Sequence, residues 1–143
     1  MLKHAIDTLL PHSGRMRLID RVVSYDEQGI ICETDSHRAA DHPLAENGVL
    51  SIVCGLEYGA QAMAIHGALL AAAADAVRRP RRGYLVAASG VCWFVERLDT
   101  CAAPLSIEAV AEFTSENQVA YRFRIDTAGA TLLTGHARVQ LGA

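Results

Sequence analysis

Glu57 is the residue most out of place in this sequence. It heads a long apolar stretch: from Tyr58 to Ala74, 17 residues pass without an Asp, Glu, Lys or Arg. If that stretch is a helix enclosed by protein, its carboxylate must find a partner or take up a proton, because removal from water raises the pKa. A carboxylic acid poised near neutrality is what general-acid catalysis needs. The competing reading is structural: Glu57 sits at an exposed helix end or pairs with an arginine.

Helical geometry sorts the possible partners. At about 100° per residue, Gln61 falls within about 40° of Glu57 and can hydrogen-bond to it or to a substrate. His66 is nine positions on, about 180° around the axis, so it reads as a polar group satisfied in a sheet or at an interface. An imidazole beside Glu57 must come from elsewhere. His37 and His42 lie in the segment leading into the helix, and loops often carry catalytic groups. His42 precedes Pro43, which restricts its backbone; from spacing alone it is also an ordinary loop histidine. His4, His12 and His136 have no constellation around them and read as structural or solvated.

Other chemistries find little support. There is no glycine-rich phosphate loop, no GxSxG elbow and no metal-ligand spacing. Cys32, Cys54, Cys92 and Cys101 form no CxxC pair and lie in apolar neighbourhoods, so they are expected to be buried free thiols of a cytoplasmic protein. Arg78-Arg79-Pro80-Arg81-Arg82 is a positive patch that could meet a coenzyme A phosphate or an acidic carrier protein. It equally suits a solvated helix end, where cations oppose the dipole. The net charge of −3 gives no reason to expect nucleic acid or an anionic membrane as a partner. The first residues lack the apolar core and cleavage site of a secretory signal. The uncharged run falls short of the roughly 20 apolar residues of a membrane span and is rich in Ala and Gly.

The elements that must position these residues can be read in order. Residues 143 in number, 51% of them hydrophobic, fit one domain, 1–143, with a sizeable core. A short helix is expected over 3–9. Two strands follow from Arg17 to Asp35, joined at Asp26-Glu27-Gln28-Gly29. Residues 36–48 form a loop, and a helix runs from about Val49 to Arg79. Four strands come last, near Tyr84–Leu98, Leu105–Ser115, Gln118–Asp126 and Thr131–Leu141. The first is too long to run straight, so Ser89-Gly90 is expected to be a bulge. One helix covers six strands only if the sheet curls around it, and its many Gly and Ala residues permit that approach. The expected class is therefore α+β, a curved antiparallel six-stranded sheet wrapped around one long central helix.

These residues also carry a family resemblance. Leu10-Pro11-His12, then Leu18-Ile19-Asp20-Arg21-Val22 and the hairpin, resemble the opening of small 3-hydroxyacyl-[acyl-carrier-protein] dehydratases. Leu56-Glu57-Tyr58-Gly59-Ala60-Gln61-Ala62 resembles their catalytic helix, and His42-Pro43 lies 15 residues before Glu57, close to the family's spacing. Gly55 before the acid, and Gly83-Tyr84-Leu85 at a strand start, are most similar to a dehydratase-like subgroup of aryl-polyene and polyketide-type clusters.

The resemblance implies a hotdog fold and a dimer, homomeric or with a related hotdog subunit, in which the histidine comes from one subunit and the acid from the other. It implies a lyase that converts a 3-hydroxyacyl thioester, borne by acyl carrier protein or coenzyme A, to a trans-2-enoyl thioester, with no metal or organic cofactor. Carried over, His42 removes the α-proton, Glu57 protonates the departing hydroxyl and Gln61 orients Glu57. A backbone N–H near the helix start would stabilise the oxyanion. Gly55 adjoins the site, and Val53, Cys54 and the Tyr84–Phe94 strand would line an acyl tunnel.

The loop departs from the family pattern. It reads His42-Pro43-Leu44-Ala45-Glu46-Asn47-Gly48 in place of His-Phe-Pro-Gly, and the histidine-to-acid interval is one residue longer than usual. Two rival functions follow: a hotdog thioesterase in which Glu57 activates water, and a non-catalytic partner of an active dehydratase.

Overall fold

Asp26 turns the first hairpin. Its Oδ1 accepts the backbone N–H groups of Gln28 and Gly29, each at 2.9 Å, as short polar side chains do in tight turns. The computed structural model describes residues 16–74 and 83–142. Within them the hairpin joins β1 (Arg21–Tyr25) to β2 (Gly29–Thr34). The helix α1 (Gly55–Ala74) follows, then β3 (Gly83–Trp93), β4 (Leu105–Thr114), β5 (Gln118–Thr127) and β6 (Ala130–Leu141).

The strands form one antiparallel sheet in the order β1-β2-β4-β5-β6-β3, which leaves β1 and β3 as edges. Side chains alternate across it. In β5, Tyr121, Phe123 and Ile125 turn inward while Arg122 and Arg124 face solvent. Burying each such inward residue contributes about 1.5–3 kcal/mol. Ala128 and Gly129, both with positive φ, close the β5–β6 hairpin with the mirror-image turn that suits twisted strands.

α1 lies in the hollow of this sheet, and its glycines set the approach. A Cβ at Gly55 would lie 2.7 Å from Leu133 Cδ2, and one at Gly59 would lie 3.1 Å from Phe123 Cδ2. Tyr58, Ala62, Met63, Ile65 and Leu69 complete the core on the helix side. No helix among the described residues is long and apolar enough to cross a membrane.

Several expectations need correction. The helix begins at Gly55 rather than Val49, after a 3-10 turn over Ile52–Cys54 capped by Ser51 Oγ. The residues before it are drawn into other backbone pairing: Leu50 O accepts from Leu98 N–H at 2.8 Å and Ile52 N–H donates to Glu96 O at 2.9 Å. The same pairing ends β3 at Trp93, short of the expected Leu98. The bulge does occur, between Ser89 and Cys92, with Gly90 at φ +57°. The cysteines are free, but only Cys32 is buried; Cys54 and Cys101 are half-buried, and Cys92 is exposed on the edge strand. The helix expected at 3–9 and the 78–82 arginine cluster lie outside the described residues.

Candidate active site

Glu57 stands in the first turn of α1, half-buried. Gln61, one turn on, fixes it. Gln61 Nε2 donates to Glu57 Oε1 at 3.1 Å and to Met16 O at 2.8 Å, while its Oε1 accepts Leu18 N–H at 2.8 Å. Only one orientation of the amide satisfies all three, because the Leu18 N–H needs an acceptor. Gln61 is 2% exposed. It therefore does two jobs: it aims the carboxylate and ties the segment before β1 to the helix.

His42 reaches the helix start but lands on Tyr58. Its ring is buried, with Nδ1 accepting Leu44 N–H at 3.0 Å and Nε2 lying 3.0 Å from Tyr58 Oη. Since Nδ1 is an acceptor, the ring proton sits on Nε2. The rest of the chain agrees on direction. Ser36 Oγ donates to Leu18 O at 2.7 Å, and a carbonyl can only accept. Ser36 Oγ must then accept from Tyr58 Oη, 2.7 Å away, leaving Tyr58 to accept from His42. Protons therefore point one way, from His42 through Tyr58 and Ser36 to the Leu18 carbonyl. Burial pushes the Tyr58 phenol well above its usual range, so it stays protonated.

The remaining sequence candidates divide. Val53 is 66% exposed on the surface beside the helix start. Cys54 is half-buried, its Sγ directed at Leu44 O. Gly55 is buried against Leu133 and Ile125, so its lack of a side chain already has a packing cause. His37 is buried with Nε2 donating to Cys101 O at 2.9 Å, and burial lowers its pKa. His66 is satisfied by Tyr121 Oη and Asp26 O, as expected of a polar group held in the sheet. Among the described residues no group of three or more His, Cys, Asp or Glu side chains is arranged to hold a metal ion.

Sequence reasoning missed Tyr58, Ser36 and Leu18. The available signal was Tyr58 itself, the residue after the acid on a helix of small side chains, whose hydroxyl needs a partner once buried.

A second surface adjoins the site. β3 is an edge strand carrying exposed Leu85, Val86 and Trp93, and Phe94 just beyond it is 64% exposed. Natural edge strands are normally short or charged, so an apolar edge marks a contact surface. Residues 96–98, just beyond this edge, pair with 50–52, the stretch that leads into α1.

A family model described as ApeP dehydratase matches residues 4–141. The chain belongs to the ApeP-like family. Its resemblance to dehydratases of aryl-polyene clusters is thereby established. No curated protein matches it. Among solved structures, the ApeI:P dehydratase heterocomplex of Xenorhabdus doucetiae superposes with a TM-score of 0.84 at 20% identity, covering 96% of this chain and 91% of that one. A hypothetical thioesterase protein from Streptococcus pneumoniae TIGR4, solved with coenzyme A, gives a TM-score of 0.59 at 11% identity over 86% of this chain and 85% of that one. AziG of S. sahachiroi gives 0.59 at 18% identity over 94% and 99%. These likenesses establish the hotdog fold of this ApeP-like chain; on such a fold the activity is decided by the site.

Proposed function

We propose that this ApeP-like chain dehydrates a 3-hydroxyacyl thioester, carried by acyl carrier protein, in a site completed by a second hotdog subunit seated along β3. Glu57 is the acid. An imidazole takes the α-proton, the electron pair becomes the new C=C bond, and the C–O bond breaks as Glu57 delivers its proton to the leaving hydroxyl, releasing water. The proton on the imidazolium then returns, through solvent, to Glu57. Gln61 holds the carboxylate in line, and backbone donors at the positive end of α1 polarise the thioester carbonyl.

The observation that carries the reading is the Glu57–Gln61 clamp: a half-buried carboxyl group in the first turn of α1, held by an amide whose other contacts are all backbone. The directed chain from His42 refines the roles. With its proton on Nε2 and Leu44 N–H on Nδ1, His42 offers no basic lone pair without reorganisation. The imidazole beside Glu57 is therefore supplied by a related hotdog subunit in a heterodimer and not by His42 of a second copy, and His42 braces the loop.

The test is a parallel assay of the complex purified through this chain. Enoyl product from a 3-hydroxyacyl-carrier protein, abolished by Glu57→Gln and only weakened by His42→Ala, is the expected result. Thiol release from a saturated acyl thioester instead of dehydration overturns it in favour of a thioesterase.

A further inference from the structure

Thr34 carries a fully buried hydroxyl at the end of β2. A buried hydroxyl must find partners. Its Oγ1 accepts Ser36 N–H at 3.1 Å, and its one proton lies between two acceptors, Leu18 O at 2.6 Å and Asp20 Oδ2 at 3.1 Å. The Asp20 carboxylate also accepts Asp35 N–H at 2.8 Å. Leu18 and Asp20 thus form a clip that grips Thr34, Asp35 and Ser36.

The clip fixes a segment that has no regular structure of its own. Residues 17–20 lie outside any helix or strand, yet Met16 O and Leu18 N–H supply two of the three bonds that hold Gln61. The Leu18 peptide faces both ways. Its N–H donates to Gln61 Oε1, and its carbonyl accepts from Ser36 Oγ at 2.7 Å as well as from Thr34 Oγ1. Both lone pairs of that carbonyl are filled. The two hydroxyls differ in what stands behind them. Ser36 lies in the 3-10 turn Ser36–Arg38. Thr34 lies on β2, which is hydrogen-bonded between β1 and β4, with Leu105 as its cross-strand neighbour. The rigid reference for the Leu18 peptide is therefore the sheet, reached through Thr34.

We infer that Thr34 is a positioning residue for Glu57: its hydroxyl sets the Leu18 peptide against the sheet, that peptide orients the Gln61 amide, and the amide aims the carboxyl group. The inference rests on the proposed dehydration for the role of Glu57. Thr34 itself touches no reacting atom. Misplacement by an ångström, caused far from the chemistry, costs about 10²-fold in rate.

The test compares Thr34→Val, which keeps the branched shape and removes the hydroxyl, with Thr34→Ser, which keeps the hydroxyl, in the complex purified through this chain. One readout needs no turnover: the side-chain amide resonances of Gln61 in an isotope-labelled chain, whose protons donate to Met16 O and Glu57 Oε1. In Thr34→Val these resonances move, and kcat for the 3-hydroxyacyl thioester falls about tenfold with KM unchanged, as a misplacement short of an ångström requires. Thr34→Ser keeps the native resonances and rate. Resonances that stay in place in Thr34→Val, or move equally in Thr34→Ser, overturn the inference, as does an undiminished kcat beside moved resonances. If the native complex performs no dehydration, the dehydratase reading falls, and the resonances still decide whether Thr34 sets the Gln61 amide.

Discussion

Leu18 N–H donates to Gln61 Oε1 at 2.8 Å, and Leu18 O accepts Ser36 Oγ–H at 2.7 Å. One peptide unit thus joins the clamp on Glu57 to the chain that ends at His42. Damage to either network is expected to reach the other.

Glu57→Gln and Gln61→Leu separate chemistry from support. Glu57→Gln keeps a hydrogen-bonding side chain but has no acidic proton, so dehydration falls by about 10²–10⁴ with the melting temperature unchanged. Gln61→Leu leaves Leu18 N–H and Met16 O without their partner, which costs about 1–3 kcal/mol. Steady-state rates and urea melts of both variants check this; an active Glu57→Gln removes the acid from the mechanism.

Tyr58→Phe cuts the directed chain in its middle. The His42 Nε2 proton and Ser36 Oγ both lose a buried partner, and a loss of about 1–3 kcal/mol is expected in denaturant unfolding. Dehydration should fall less than in Glu57→Gln. Native stability in this variant would show that the chain does not hold the loop.

The glycines of α1 should respond in opposite senses. Gly55→Ala forces a methyl into Leu133 and is expected to cost about 1–3 kcal/mol. Gly67→Ala meets open space and is expected to add up to about 1 kcal/mol through helix propensity alone. Thermal melts of the two variants give the signs directly.

Acid should loosen the fold through His66. Burial lowers its folded-state pKa below the unfolded value near 6.5. Below that value the unfolded chain binds the extra proton first, so the stabilisation is present above pH 6.5 and is lost as pH falls toward the folded pKa. His37 shifts the same way, from the same cause. Melting temperature should therefore drop between about pH 7.5 and about pH 5.5, with a shallower drop in His66→Gln. An identical slope in the variant would assign the effect elsewhere.

Phe94→Glu tests the edge. A charge on this exposed ring should leave the subunit folded but prevent a neighbour from covering β3. Sedimentation is expected to show the free subunit in this variant and the proposed dimer or heterodimer in the native chain; an unchanged assembly in Phe94→Glu would place the interface elsewhere.

Much of the architecture was legible because it follows local periodicity. The alternation of Tyr121, Phe123 and Ile125 with arginines marks a half-buried strand, and the glycines and alanines after Glu57 mark a helix closely approached by the sheet. Ser89-Gly90 gave its bulge, and His66 was correctly kept apart from Glu57 by counting turns. What was not legible depends on residues far apart in the chain. Leu50 and Ile52 look helical until Glu96 and Leu98 claim their backbone groups. Cys92 looks like a core thiol until β3 is found at the sheet edge. That His42 would meet Tyr58 and Leu44 N–H at the helix start depends on how the loop folds, which spacing does not tell.

The pairing of Leu50 and Ile52 with residues 96–98 has a mechanical consequence. It ties the segment that follows the edge strand β3 to the stretch that leads into α1, so a displacement at that edge is passed to the end of the helix that carries Glu57. A neighbour that docks askew would misalign the acid without touching it, and a well-seated one would set its angle. On the proposed dehydration, two short backbone rungs would gear assembly to turnover.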